Sequence, residues 1–107
     1  MNTSTVEARS AQATQVSVTG DTLTFELADG RSISAPLAWY PRLLHGTVAE
    51  RSHWRLVGQG RGVHWPDLDE DISVENLLVG RPSAESQKSL KKWLGQRQAG
   101  HDSLTPR

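Results

Sequence analysis

The tightest constraint on this chain lies in residues 15–37, where apolar and polar residues alternate across two turn signals, Gly20-Asp21 and Ala28-Asp29-Gly30. Successive side chains on a strand point to opposite faces, so a loop one residue too long would turn a whole apolar set toward water. A two-residue loop at Gly20-Asp21 sets Val18 opposite Leu23 and Val16 opposite Phe25, with all four on one face. At the second turn, a two-residue Asp29-Gly30 loop would pair Glu26 with Ile33 and mix the faces. A three-residue loop with Gly30 left-handed pairs Phe25 with Ile33 and Leu23 with Ala35. Only the second solution keeps the apolar face whole. The reading is a three-stranded antiparallel meander, with Pro36 near its end, where a missing N–H is tolerable.

Beyond the meander the punctuation changes to helical signals. Trp39 to Leu44 reads as a helical turn with Pro41 early in it. Thr47-Val48-Ala49-Glu50 matches a capping box and predicts a short helix ending near His53. Residues 54–57 and 62–65 read as two short strands around a Gly58-Gln59-Gly60-Arg61 turn. Ser73 caps a helical turn carrying Val74, Leu77 and Leu78, which Gly80 and Pro82 end. A last helix is expected over 83–97, with Leu90, Trp93 and Leu94 on one stripe. The expected organisation is a loose arm over 1–14, one α+β domain over 15–98, and a frayed tail over 99–107.

Composition removes several function classes. Among 107 residues, 12 Lys and Arg balance 12 Asp and Glu, so no net field draws the chain to nucleic acid or an anionic membrane. The chain holds no cysteine, which excludes disulfides and thiolate metal sites. No apolar run approaches the roughly 20 residues of a membrane span, and the first residues lack a signal-peptide pattern. A cytoplasmic, soluble protein is expected.

The densest stretch is Gly62 through Leu78, which joins a strand end, a proline turn, an acidic knot and a helix start. With Trp39-Tyr40-Pro41-Arg42-Leu43-Leu44 and Arg51-Ser52-His53-Trp54-Arg55-Leu56-Val57-Gly58, it resembles the bacterial family catalogued as domain of unknown function 2442, over roughly residues 15–80. The resemblance implies a compact α+β fold of hairpins packed on short helices, and no catalytic residues. Some members carry a helix-turn-helix extension, and others stand beside a second small protein in pairs that look like toxin and antitoxin. One helix and a tail after Gly80 are too little for a helix-turn-helix unit.

Asp67, Asp69, Glu70 and Asp71 suggest a hard cation, but counting from Asp67 the sixth and twelfth positions of an EF-hand loop hold Ile72 and Leu78. The acidic run is better read as helix capping by Asp69 or Asp71, or as pairing with Arg42 or Arg55. His64 should face away from Val63 and Trp65 and could pair with Asp67, Asp69 or Glu70. A general base would still need a nucleophile or activated water, and Ser73 is better explained as a cap. The four tryptophans include three, Trp39, Trp54 and Trp65, placed to seal a small core. Trp93 either packs back on the domain or docks in a partner.

The expectation is a non-enzymatic interaction module, antitoxin-like or adaptor, for a second small protein, with homodimerisation open. Asp67, Glu70, Asp71, Leu90 and Trp93 are the candidate contacts, with no cofactor and no metal. The alternative is a nucleic-acid-associated transcriptional accessory protein using Lys88, Lys91 and Lys92, although direct nucleic-acid contact is not expected of a neutral chain. A third is a small metal-dependent or His–carboxylate hydrolase. Gly58 to Gly62 superficially resembles a phosphate cradle but lies between two strands, outside the context such a loop needs.

Overall fold

The computed structural model describes the backbone of residues 11–104 and the side chains of residues 11–98. Most of the expected arm, residues 1–10, and the end of the tail, residues 105–107, lie outside the described residues. The architecture is α+β: two three-stranded antiparallel sheets, several short helices and a C-terminal helix.

The first sheet comprises β1 (Ala13–Val18), β2 (Thr22–Leu27) and β3 (Ser32–Pro36), in that order. Its register is the one that face bookkeeping selects. Val16 lies opposite Phe25 and Val18 opposite Leu23, while Phe25 faces Ile33 and Leu23 faces Ala35. Gly30 takes φ +95°, and Leu27 N–H donates to the Arg31 carbonyl at 2.8 Å, closing the three-residue loop. Pro36 lies opposite Thr22, on the open side of edge strand β3, where no ladder bond is lost. Order begins earlier than expected: β1 starts at Ala13 and carries a bulge between Ala13 and Gln15.

One turn of 3-10 helix (Leu37–Trp39) leads into α1 (Pro41–Leu44), with Pro41 at its start. In α2 (Val48–Ser52) both bonds of the capping box form, Glu50 N–H to Thr47 Oγ1 at 3.1 Å and Thr47 N–H to Glu50 Oε1 at 2.9 Å. The second sheet holds β4 (Arg55–Val57), β5 (Gly62–Trp65) and β6 (Glu70–Ser73). Strand β6 corrects the sequence reading. Neither Asp69 nor Asp71 caps a helix; Glu70 and Asp71 pair with β5, with Trp65 opposite Glu70 and His64 opposite Asp71. Asp69 turns the corner with φ +50°.

Ser73 caps α3 (Val74–Leu78) by accepting Asn76 N–H at 3.0 Å. Gly80, left-handed at φ +77°, closes it, with Arg81 N–H returning to the Asn76 carbonyl at 2.9 Å. The last helix, α4 (Gln87–Leu104), starts later and runs further than expected. Two serines compete for its cap. Ser83 Oγ takes Glu85 N–H in a local turn, whereas Ser86 Oγ takes Ser89 N–H and its carbonyl takes Leu90 N–H. Residues 99–104 continue the helix rather than fraying from 99.

The two sheets share one core, in which Leu23, Phe25, Leu37, Leu43, Val63, Trp65 and Leu68 are fully buried. Phe25 of one sheet stacks on Trp65 of the other, centroids 6.5 Å apart. Trp39 and Trp54 are half-buried and pack on the core margin, as sealing rings should. The backbone seam is at Gly60, whose carbonyl accepts Ala13 N–H at 2.7 Å. A Cβ on Gly60 would stand 2.8 Å from the Ala13 carbonyl oxygen, and the residue has φ +86°. At Gly80 the space is open and only the backbone conformation is unfavourable. Gly80→Ala is therefore expected to cost about 1 kcal/mol in chemical denaturation, and Gly60→Ala about 2–3 kcal/mol because clash adds to strain. Equal costs at the two positions would mean that the seam yields.

Candidate functional site

The acidic knot forms the β5–β6 turn, and its four carboxylates divide by direction. Leu68 is the buried plug of that turn, so its neighbours Asp67 and Asp69 are thrown outward. Asp67 Oδ2 meets His53 Nδ1 at 2.7 Å, and Asp71 Oδ1 meets His64 Nδ1 at 2.8 Å. The second pair is the cross-strand pair fixed by the register. His64 faces away from Trp65 as expected, but its partner is Asp71 and not Asp67, Asp69 or Glu70. The His53 pair joins residues 14 positions apart, through a residue that carries no sequence signal. Asp69 is wide open and lies 3.6 Å from Arg42, one of the two arginines expected as partners.

Glu70 points inward. Its Oε1 takes Asp71 N–H at 3.0 Å, while Oε2 is buried with no hydrogen-bond partner among the described residues. Burial raises its carboxyl above the usual range, against the Asp71 N–H and the Arg42 charge that lower it. The phenol of Tyr40 is raised first by its own burial and then by the charge of Glu70. This leaves Glu70 unavailable as an exposed contact.

The remaining candidates lie on α4. Leu90 is buried against the domain, and Trp93 is half-buried on its core. The guanidiniums of Arg42 and Arg97 lie over the Trp93 ring at 5.0 and 4.7 Å from its centroid. Arg42 also binds Glu85 through Nη2 at 2.6 Å and Nε at 2.9 Å, and its Nη1 reaches the Leu68 and Asp69 carbonyls. Arg97 forks onto Glu50 at 2.8 and 3.0 Å, so the capping-box carboxylate serves two helices. Surface ion pairs contribute about 0–1 kcal/mol and each cation–π contact about 0.5–1 kcal/mol. Burial of Leu90 contributes about 2 kcal/mol, so the apolar seat holds α4 while the charges fix its rotation. Leu90 and Trp93 thus pack back on the domain. Lys88, Lys91 and Lys92 are exposed on the helix, with no carboxylate within 4 Å among the described residues.

No group of three metal-ligating side chains gathers among the described residues. Neither His–Asp pair hydrogen-bonds to a hydroxyl group among them. A feature that sequence reading missed is a groove of about 380 Å³ between β1 and α2. It is lined by residues 15–18 of β1 with Val48, Arg51, Ser52 and Trp54. Val48 is 78% exposed at its mouth. The only sequence signal for it was an apolar residue on the first turn of a helix with no apolar stripe.

A family model described as protein of unknown function (DUF2442) matches residues 13–83, which span both sheets and α1 to α3. The chain belongs to the DUF2442 family. No curated protein matches it. This DUF2442 chain is similar to a protein of unknown function from Rhodospirillum rubrum, solved by crystallography, at 22% identity and a TM-score of 0.61, over 72% of this chain and 95% of that one. It is also similar to an uncharacterised protein from Chromobacterium violaceum, solved by NMR, at 21% identity and a TM-score of 0.62, over 83% of this chain and 82% of that one. At these identities the likeness establishes the fold. Among the described residues no helix is long and apolar enough to cross a membrane.

The carboxylates of this DUF2442 domain pull stability in opposite directions with pH. Glu50 and Glu85 are held low, chiefly by hydrogen bonds from Arg97 and Arg42. They contribute stability that is present above 4.5, the ordinary glutamate value, and lost as pH falls through their lower folded values. Glu70, raised by burial, costs stability once pH climbs from 4.5 through its higher folded value. Glu70→Gln is expected to raise the Tm at about pH 7, with the gain fading below about pH 4, and Glu85→Gln to lower it with the opposite pH trend. Thermal melts across that range check both signs, and a Glu70→Gln chain less stable at neutral pH would contradict the assignment.

Proposed function

We propose that this chain is a non-enzymatic protein–protein interaction module, an adaptor or antitoxin-like partner of a second small bacterial protein. Its working surface is the groove between β1 and α2. The observation that carries this reading is Val48, an apolar side chain left 78% exposed at the mouth of a groove whose far wall is half-buried Trp54. Aromatic residues framed by a polar rim are the usual anchors of protein contacts. The acidic face is a weaker candidate than the sequence suggests. Asp67 and Asp71 already have histidine partners, Glu70 is turned inward, and Leu90 is buried. Asp67 and Asp71 remain exposed enough to flank a partner.

A second reading, contact with nucleic acid, draws on the three exposed lysines of α4. Its reach is modest, since three phosphate contacts on a neutral chain give weak, salt-sensitive binding.

A photo-crosslinking residue placed at Val48 is expected to trap one stoichiometric protein in cells, while the same residue at exposed Val79 traps none. Val48→Asp should weaken that complex at least about tenfold, the effect of losing one buried apolar anchor. The double change Lys91→Gln and Lys92→Gln should leave it intact. Equal trapping at both positions, or loss only with the lysine variant, would overturn the assignment of the surface.

A further inference from the structure

We infer that the groove takes an extended peptide segment of the partner, added as a strand to the open edge of β1 and read by Arg51 through a carboxylate on that segment. This deepens the interaction-module reading and rests on it.

Backbone parity supplies the first argument. Thr19 N–H donates to the Thr22 carbonyl at 2.9 Å, so Thr19 and Thr22 form a hydrogen-bonded pair at the end of the hairpin. Hydrogen-bonded and non-bonded pairs alternate along an antiparallel ladder. Ser17 and Gln15 therefore bond to β2, and the N–H and C=O groups of Val16 and Val18 point to the open side. The same parity appears from β2, where Leu27 bonds toward β3 and Ala28 toward the β1 side. Further up the strand the open side is already used, because Ala13 N–H is taken by Gly60. Among the described residues the free edge is thus the short stretch 15–18, and those four residues line the groove.

The stretch 15–18 also lacks two common edge devices. Natural sheets blunt exposed edges with proline, charge or a bulge. The opposite edge, β3, carries Pro36 on its open side. Gln15, Val16, Ser17 and Val18 carry neither proline nor charge, and the bulge of β1 lies before them, between Ala13 and Gln15.

Shape and charge then select the occupant. Val48, Arg51, Ser52 and Trp54 line the slot together with the 15–18 edge, along which an extended segment would add as a strand. A volume of about 380 Å³ is near the low end for ligand sites, which run roughly 300–1,000 Å³. Arg51 donates Nε and Nη2 to the Leu43 and Leu44 carbonyls at 2.8 and 2.6 Å. Those bonds fix the guanidinium against the end of α1, and no carboxylate within 4 Å neutralises it among the described residues. Its Nη1 has no hydrogen-bond acceptor there. A fixed cation in a half-buried wall favours an acidic side chain or a chain-terminal carboxylate. Val48 and Trp54 supply the apolar seat for a neighbouring side chain.

The test uses random dodecapeptides displayed on phage, panned against the full chain and counter-selected on the Val48→Asp chain. Enriched peptides are expected to share an apolar residue near a carboxylate. In fluorescence anisotropy, exchanging that carboxylate for an amide should weaken the strongest synthetic binder at least about tenfold, as loss of a charge-assisted bond implies. Methylating alternate backbone nitrogens should abolish binding in one register and spare it in the other, because only one register faces Val16 and Val18. No enrichment, indifference to the carboxylate, or equal tolerance of both methylated registers would overturn the proposal. So would a dimer in sedimentation that bound no peptide, since a second copy would then hold the edge. If Val48 still traps a partner while the peptides fail, the interaction-module reading stands and only the extended-peptide occupant falls.

Discussion

Everything else in this domain hangs on the closure of the two sheets through Trp65. Its indole is fully buried and stacks on Phe25 of the other sheet, and its one polar atom, Nε1–H, donates to the Arg51 carbonyl at 3.0 Å. A buried tryptophan carries the largest apolar surface of any residue, provided its N–H finds an acceptor. Because β5 ends in this residue, the following turn must cross the core, and Leu68 fills it. The acidic residues around Leu68 are then sorted by geometry alone, Asp67 and Asp69 outward and Glu70 inward. The same Arg51 whose carbonyl serves Trp65 lines the β1–α2 groove. Core closure and the proposed contact surface therefore share a residue.

A second layer of organisation is electrostatic and fixes the last helix. Arg42 touches Glu85, two carbonyls of the β5–β6 turn and the Trp93 ring, and Arg97 links that ring to Glu50. These contacts are individually weak at the surface, yet they share partners and so constrain one another. The buried, half-satisfied carboxyl of Glu70 sits at the edge of this network, where Arg42 and Glu85 both act on its charge.

The sequence made local relations legible and hid distant ones. The registers of the meander, the left-handed Gly30, the open-side Pro36, the Thr47 box and the Ser73 cap all follow from residues a few positions apart. The resemblance that rests on Gly62 through Leu78 agrees with the family match. Strand β6 was illegible because an acidic run reads as a cap, and only pairing with β5 makes Glu70 and Asp71 strand residues. The start of α4 was misplaced because Ser83 and Ser86 are equally good caps until Glu85 is drawn to Arg42, 43 residues away. The groove was invisible for the same reason, since it joins residues 15–18 to residues 48–54. Leu90 and Trp93 were placed on the correct stripe, but Arg42, which lies over the Trp93 ring, comes from α1, and the core that Trp93 packs on comes from distant elements.

The function proposed for this fold depends on one edge being open. Strand β3 ends in a proline on its open side and the start of β1 is tied to Gly60, which among the described residues concentrates unpaired backbone groups at Val16 and Val18. Amide hydrogen exchange of the free, full chain, read residue by residue by NMR, tests this most directly. The account expects fast exchange at Val16 and Val18 and slow exchange at Ser17 and Thr19. Slow exchange at all four would mean that the edge is already paired in the free protein, and the groove could not be its contact surface.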